Sequence, residues 1–255
     1  MGNLMSKKRI LAIVEGEKAD YKLMKHLFDM FYEHEYDILP YRTNLYSLYN
    51  SFELNDKDDF EVLDTIQVLK SMEKDVKKRD MLNQKFTDIV LIFDFDPQDP
   101  AFSVEKIIKM KKLFHESTEN GKLYINYPMV EAFKHLKNVK DESFIDLQVL
   151  KEDLDNKKYK TMVSQMAFQN DYTKYNRTMC LNVFRLNLIK ANNMLNHKRS
   201  VPVNASEYFY IDLDEILMKQ CELMKNTNAF FVLCTCIFFF LDYNTSYFLK
   251  EIECL

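Results

Sequence analysis

The stretch from Asp88 to Pro100, DIVLIFDFDPQDP, constrains the fold of this chain more than any other. Ile89 to Ile92 form an apolar run of the length expected for a strand buried on both faces. Phe93-Asp94-Phe95-Asp96 then alternates, and a side-chain period of two predicts both carboxylates on one side of that strand. Pro97 ends it and Pro100 stiffens the exit. The carboxyl ends of strands are where open α/β sheets place their ligands. Two neighbouring carboxylates there repel unless a proton or a cation intervenes, and Mg²⁺ is the hard, oxygen-seeking candidate.

The pattern on either side extends this strand into an α/β alternation. Arg9–Val14 reads as a strand ending in Glu15-Gly16-Glu17, where Gly16 permits a tight turn into a helix with Leu23, Leu27, Phe28 and Phe31 on one face. Tyr36 to Tyr41 reads as a second strand, at an edge because of Pro40. An insert from about 45 to 86 is helical in pattern, interrupted at Asn55-Asp56-Lys57-Asp58-Asp59 and again at Lys77-Lys78-Arg79. Ser103 is a suitable N-cap for a helix to about Phe114. Gly121 opens the next strand, and Pro128 suits the first turn of a helix carrying Glu131. Beyond about Asp141 the strand signals fade, and 147–158, 184–196 and 211–224 read as helices. The expectation is an α/β domain over 1–140, with a mostly parallel sheet flanked by helices, followed by a mostly helical region over 141–255.

Composition excludes little. In 255 residues the formal charge is −4 with both signs interspersed, so no global basic field marks a nucleic-acid binder, although a local basic face fits within such a total. Five cysteines without a zinc-like pair read as reduced thiols and point to the cytoplasm. Ala229 to Leu241 is strongly apolar but too short to span a bilayer, which predicts a buried element and no membrane association. The N-terminal residues contain no secretory signal.

If the two acid-bearing strands are parallel neighbours, Glu15, Asp94 and Asp96 meet at one sheet edge. Val14-Glu15-Gly16-Glu17 after one strand and Asp94-Phe95-Asp96 after a later one resemble the TOPRIM domain of topoisomerases, primases and OLD-type nucleases. The resemblance covers about Arg9 to Glu131, and Asn126-Tyr127-Pro128-Met129-Val130-Glu131 extends it toward RloB-like proteins and the TOPRIM subunit of the PARIS anti-phage system. It implies a Mg²⁺-dependent nuclease, with Mn²⁺ as substitute, in which Glu15 is acid/base or ligand, Asp94 and Asp96 are ligands and Glu131 is an accessory acid. It further implies RNA, including tRNA, slightly ahead of DNA as substrate. A role as effector in bacterial anti-phage defence, under an ABC-type ATPase partner, is also implied. Homo-oligomerisation is left open. Lys18, Lys198 and Arg199 are then candidate phosphate contacts, as are Lys77-Lys78-Arg79 and Lys157-Lys158 with Lys160.

Plainer explanations stand beside these. Glu15-Gly16-Glu17 fits an ordinary strand-to-helix turn with acids at the positive end of a helix dipole, and Glu131 has the same explanation. Asp-x-Asp also occurs in HAD-type phosphatases and nucleotide-sugar transferases, but the Pro97-Gln98 continuation departs from the former and nothing else supports the latter. Each basic run fits a solvated helix face. Tyr41, Tyr46 and Tyr49 could stack bases or cover a core. The histidines and cysteines have no metal or nucleophile spacing. The competing function is a non-catalytic TOPRIM-like module that binds an ATPase partner, for which an acidic cleft blocked by Lys or Arg would speak. Nucleotidyl transfer is a third.

Overall fold

The computed structural model describes residues 8–55 and 64–255. It is an α/β structure with a mostly parallel five-stranded sheet flanked by helices and a helical C-terminal region. The chain divides into two compact units, residues 1–93 with 103–123, and residues 94–102 with 124–255.

Along the chain to the end of the sheet run β1 (Arg9–Val14), α1 (Ala19–Phe31), β2 (Glu35–Pro40), α2 (Leu45–Asn55), α3 (Thr65–Met72), α4 (Val76–Met81), β3 (Asp88–Asp94), α5 (Val104–Leu113), β4 (His115–Glu116) and β5 (Gly121–Asn126). The sheet order is β2-β1-β3-β5-β4. β1 runs parallel to β2, with Val14 opposite Pro40, and parallel to β3, with Val14 opposite Ile92. From Ile10 to Val14 and from Val90 to Phe93 no side chain is exposed, as a central strand covered on both faces requires. β2 lies at the edge, where Pro40 removes no ladder hydrogen bond from a further neighbour. α1 buries Leu23, Leu27 and Phe28 of the stripe that its helical spacing predicts, and Met24 beside them, while Phe31 at its end is only partly buried. Ser103 caps α5 by accepting from the Lys106 amide.

Gly121 has φ +117°, and a Cβ there would meet Leu91 Cδ1 at 2.6 Å, so both backbone conformation and packing select glycine. Within the insert, Asp64 and Asp75 cap α3 and α4. Lys77-Lys78-Arg79 lies inside α4 and does not interrupt the helix; the break comes earlier, at 73–75, because the Asp75 side chain takes the first amides of a new helix. The expected turn at Asp56–Asp59 lies outside the described residues. Tyr46 and Tyr49 are buried and cover the core, so neither is available to stack a base.

The second unit contains β6 (Gln148–Leu150), α6 (Lys158–Met166), α7 (Arg177–Asn196), α8 (Ala205–Tyr208), α9 (Leu213–Thr227), β7 (Ala229–Phe231), α10 (Phe238–Tyr243) and α11 (Thr245–Glu253), with short 3-10 helices between them. Two sequence expectations are corrected by this unit. The segment 147–158 is not a helix: its start pairs antiparallel with β7, Val149 opposite Phe230, and a 3-10 helix follows over Lys151–Lys157. The apolar segment 229–241 is buried almost throughout, as expected, and divides into that strand, a 3-10 helix (Thr235–Ile237) and the start of α10. After a cis Tyr127-Pro128 bond, Glu131 sits on a 3-10 helix, Val130–Lys134, instead of an α-helix.

Long-range contacts explain the small sheet, which local periodicity does not announce. The Gln220 amide donates to the Phe231 carbonyl and accepts from the Phe231 amide, both at 2.9 Å. Fully buried Lys190 donates to the Val232 and Leu147 carbonyls at 2.6 and 3.3 Å, with its ammonium 3.7 Å from the centre of the Phe144 ring. Among the described residues no helix is long and apolar enough to cross a membrane.

Candidate metal centre

Glu15 follows β1 directly and is held by backbone on two sides. Its amide donates to the Ile92 carbonyl at 3.1 Å, continuing the β1–β3 ladder, and its carbonyl accepts from the Arg42 amide at 2.9 Å. The next residue, Gly16, does not have the left-handed backbone that tight-turn reasoning suggests. The Asp20 carboxylate lies where a Cβ at this position would go. Asp20 is 5 % exposed and was not singled out by sequence; an acid in the first turn after a strand-glycine step is the signal that was available.

Asp94 ends β3 and is 6 % exposed. Strand alternation is not what relates it to Asp96, because the strand stops at Asp94 and Asp96 has φ +40°. Aspartate tolerates this left-handed region better than most residues. The turn is anchored in backbone: the Phe95 amide donates to the Asn126 and Pro128 carbonyls at 3.0 and 3.1 Å, and the Asp96 amide to Pro128 at 3.3 Å. Gln98 donates to the Asp96 carboxylate at 2.9 Å. Gln98 thus joins the site through the very Pro97-Gln98 continuation noted as a departure from phosphatases.

One carboxylate oxygen from each of Glu15, Asp94 and Asp96 lies within 4.8 Å of the others. That limit is a little wider than the roughly 4.2 Å between opposite ligands of a six-coordinate Mg²⁺. The donors are all hard oxygens. Burial raises the Asp96 carboxyl above its ordinary range; the Gln98 hydrogen bond and the Lys160 ammonium oppose this, while Asp99 and Glu131 add to it. An acid that resists ionisation among other acids is one that a divalent cation relieves.

Glu131 is not among the three acids that converge. It is 8 % exposed, its Oε2 has no hydrogen-bond partner, and its Oε1 lies 3.7 Å from the Lys160 ammonium. Its charge nonetheless reaches Asp96. Lys134 on the same 3-10 helix has its ammonium pushed down by burial, with Glu131 opposing and Lys160 adding to the effect. Two lysines therefore accompany the acids of the second unit.

Of the remaining candidates, Lys18 is exposed at the start of α1. Lys198 is exposed after α7, and Arg199 is committed to Asp146 through two hydrogen bonds of 2.9 and 2.8 Å. Lys78 lies 3.7 Å from Glu17, which also pairs with Arg42. Cys180, Cys221, Cys234 and Cys236 are buried, and burial pushes the Cys180 thiol up to about 12 and that of Cys221 to about 11, which suits packing and not nucleophilic chemistry.

Fold and site together define an α/β protein with a carboxylate cluster, able to bind a metal ion, at the carboxyl ends of paired parallel strands. Compared with known proteins, the chain matches no family model, no curated protein and no solved structure.

Proposed function

We propose that this protein is a divalent-metal-dependent phosphodiesterase acting on nucleic acid, with Glu15, Asp94 and Asp96 as the metal-holding residues and Mg²⁺ or Mn²⁺ as the ion. The single observation that carries this reading is the meeting of those three carboxylates, which are separated by some eighty residues of chain. When bound, the ion would polarise a phosphoryl oxygen and supply a nucleophilic water near neutral pH.

The chain's own groups have distinct tasks in this reading. Asp94, nearly buried, is the fixed ligand. Asp96 trades its raised affinity for a proton for the cation, with Gln98 orienting its other contact. Lys160, half exposed beside Glu131, carries positive charge that a phosphate oxygen can share. Glu131 holds that lysine in place. The TOPRIM resemblance supplies the substrate class, with RNA or tRNA ahead of DNA. It is also the source of the proposed role as a defence effector restrained by an ABC-type ATPase.

The test is cleavage of labelled RNA and DNA with Mg²⁺ or Mn²⁺, by the wild-type chain and by Glu15→Ala and Asp94→Asn, in parallel with calorimetric titration of Mn²⁺. Loss of cleavage and of ion binding together supports the proposal. Cleavage that survives both substitutions overturns it, and ion binding without cleavage of any substrate favours the non-catalytic module.

A further inference from the structure

A second site lies within the second unit and does not depend on the metal chemistry. Between α7, α11 and the segment 201–205 is a cavity of about 690 Å³, within the range of pockets that hold small organic ligands. Arg185 of α7, Lys250 of α11 and Lys140 line it, against the two acids Glu142 and Glu253, so these side chains sum to +1; Leu255 lines it too.

Arg185 is exceptional in this chain. Arg9, Arg42, Arg177 and Arg199 each pair with a carboxylate, and Arg79 donates to the Glu73 carbonyl. Arg185 alone among the six arginines has no hydrogen bond or ion pair among the described residues, although it is half-buried. With no acceptor among those residues, the Arg185 guanidinium keeps its donors for the oxygens of an anion. Asn182, one helical turn before Arg185, is 4 % exposed and also faces the cavity; its amide nitrogen is held by the Thr178 carbonyl at 2.9 Å. The opposite character comes from Val201, Pro202 and Leu249, which give the cavity an apolar wall.

We propose that this cavity binds a small amphiphilic anion, its carboxylate or phosphate head on Arg185 and Lys250 and its apolar or planar body against Val201, Pro202 and Leu249. A singly charged head balances these side chains, and the wall selects against a bare inorganic ion.

The experiment is calorimetric titration of the full chain with decanoate, adenosine 5′-monophosphate and inorganic phosphate, in EDTA so that no metal bridges a phosphate to the acidic centre. The expected result is one-to-one binding of decanoate or the nucleotide, with inorganic phosphate at least about tenfold weaker. Arg185→Gln should weaken the preferred probe about tenfold, and Lys250→Gln, on an exposed helix position, several-fold. The two organic probes separate a carboxylate head from a phosphate head. Saturable binding by neither, inorganic phosphate as good as both, or unchanged affinity in Lys250→Gln and in a folded Arg185→Gln overturns the assignment. Because the titration is metal-free, failure here leaves the cleavage test untouched.

Discussion

The carboxylate of Asp20 occupies the space that a side chain at Gly16 needs, its Oδ2 lying against the position of a Cβ. This close approach lies at the step from β1 to α1, next to Glu15. It ties the glycine to packing and not to backbone conformation.

Gly16→Ala should therefore destabilise the protein by about 1–3 kcal/mol through overpacking. In an Asp20→Ala background the same substitution should cost less, with a coupling of about 1 kcal/mol, since the obstructing oxygen is gone. Urea denaturation of the four chains measures this. An equal cost in both backgrounds would show that the contact is not the reason for glycine.

Asp96 predicts a trade between stability and ion binding. Its folded carboxyl titrates above the ordinary 3.8, chiefly through burial. Between the ordinary and the raised value the folded state holds more protons than the unfolded, so stability falls as pH rises through that interval and the loss persists above it. Asp96→Asn should then raise the melting temperature of the metal-free protein at pH 7 by a few degrees, about 2–4 °C per kcal/mol recovered. The same variant should lose most of the stabilisation that wild type gains from Mg²⁺. Differential scanning with and without the ion decides this; a less stable Asp96→Asn in EDTA would contradict it.

Lys160 separates charge supply from ion holding. Lys160→Met removes the ammonium beside Glu131 and Asp96 without touching the three converging oxygens. Cleavage should fall about ten- to hundredfold, as for loss of a charge-stabilising donor, while Mn²⁺ affinity changes by less. Arginine at this position should recover part of the rate. A parallel collapse of Mn²⁺ binding would place Lys160 in the architecture of the ion site instead.

His135 is 1 % exposed, with Nδ1 3.1 Å from the Tyr159 hydroxyl and Nε2 2.9 Å from Met166 Sδ. Burial, followed by the charge of Lys190, lowers its pKa to about 4. The unfolded chain, titrating near the ordinary 6.5, binds this proton first. Stability from this residue is complete above about pH 6.5 and is lost as pH falls toward 4, with an upper limit of roughly 3 kcal/mol. Chemical denaturation at pH 7, 6, 5 and 4.5 should show that decline, and His135→Gln should flatten it. An unchanged slope in the variant would assign the decline to other groups.

Much of the fold is written locally. The apolar runs at Arg9–Val14 and Ile89–Ile92, the helical stripe of α1, the Ser103 cap and Pro40 at an edge each act within a few residues, so periodicity and cap chemistry were enough to read them. The choice of Glu15, Asp94 and Asp96 as candidates also came from the chain alone, because acids at strand ends are conspicuous.

Tertiary structure decided how those acids meet. The left-handed turn at Asp96 replaced simple alternation, and its anchors, the Asn126 and Pro128 carbonyls, come from a distant segment. The same holds for β6 and β7, paired across some eighty residues, for the burial of Asp20 against Gly16, and for an arginine left without a partner at the cavity of α7 and α11. A periodic pattern reports which face of an element is apolar. It carries no record of register, of what packs opposite, or of the desolvation that gives a charged group its chemistry.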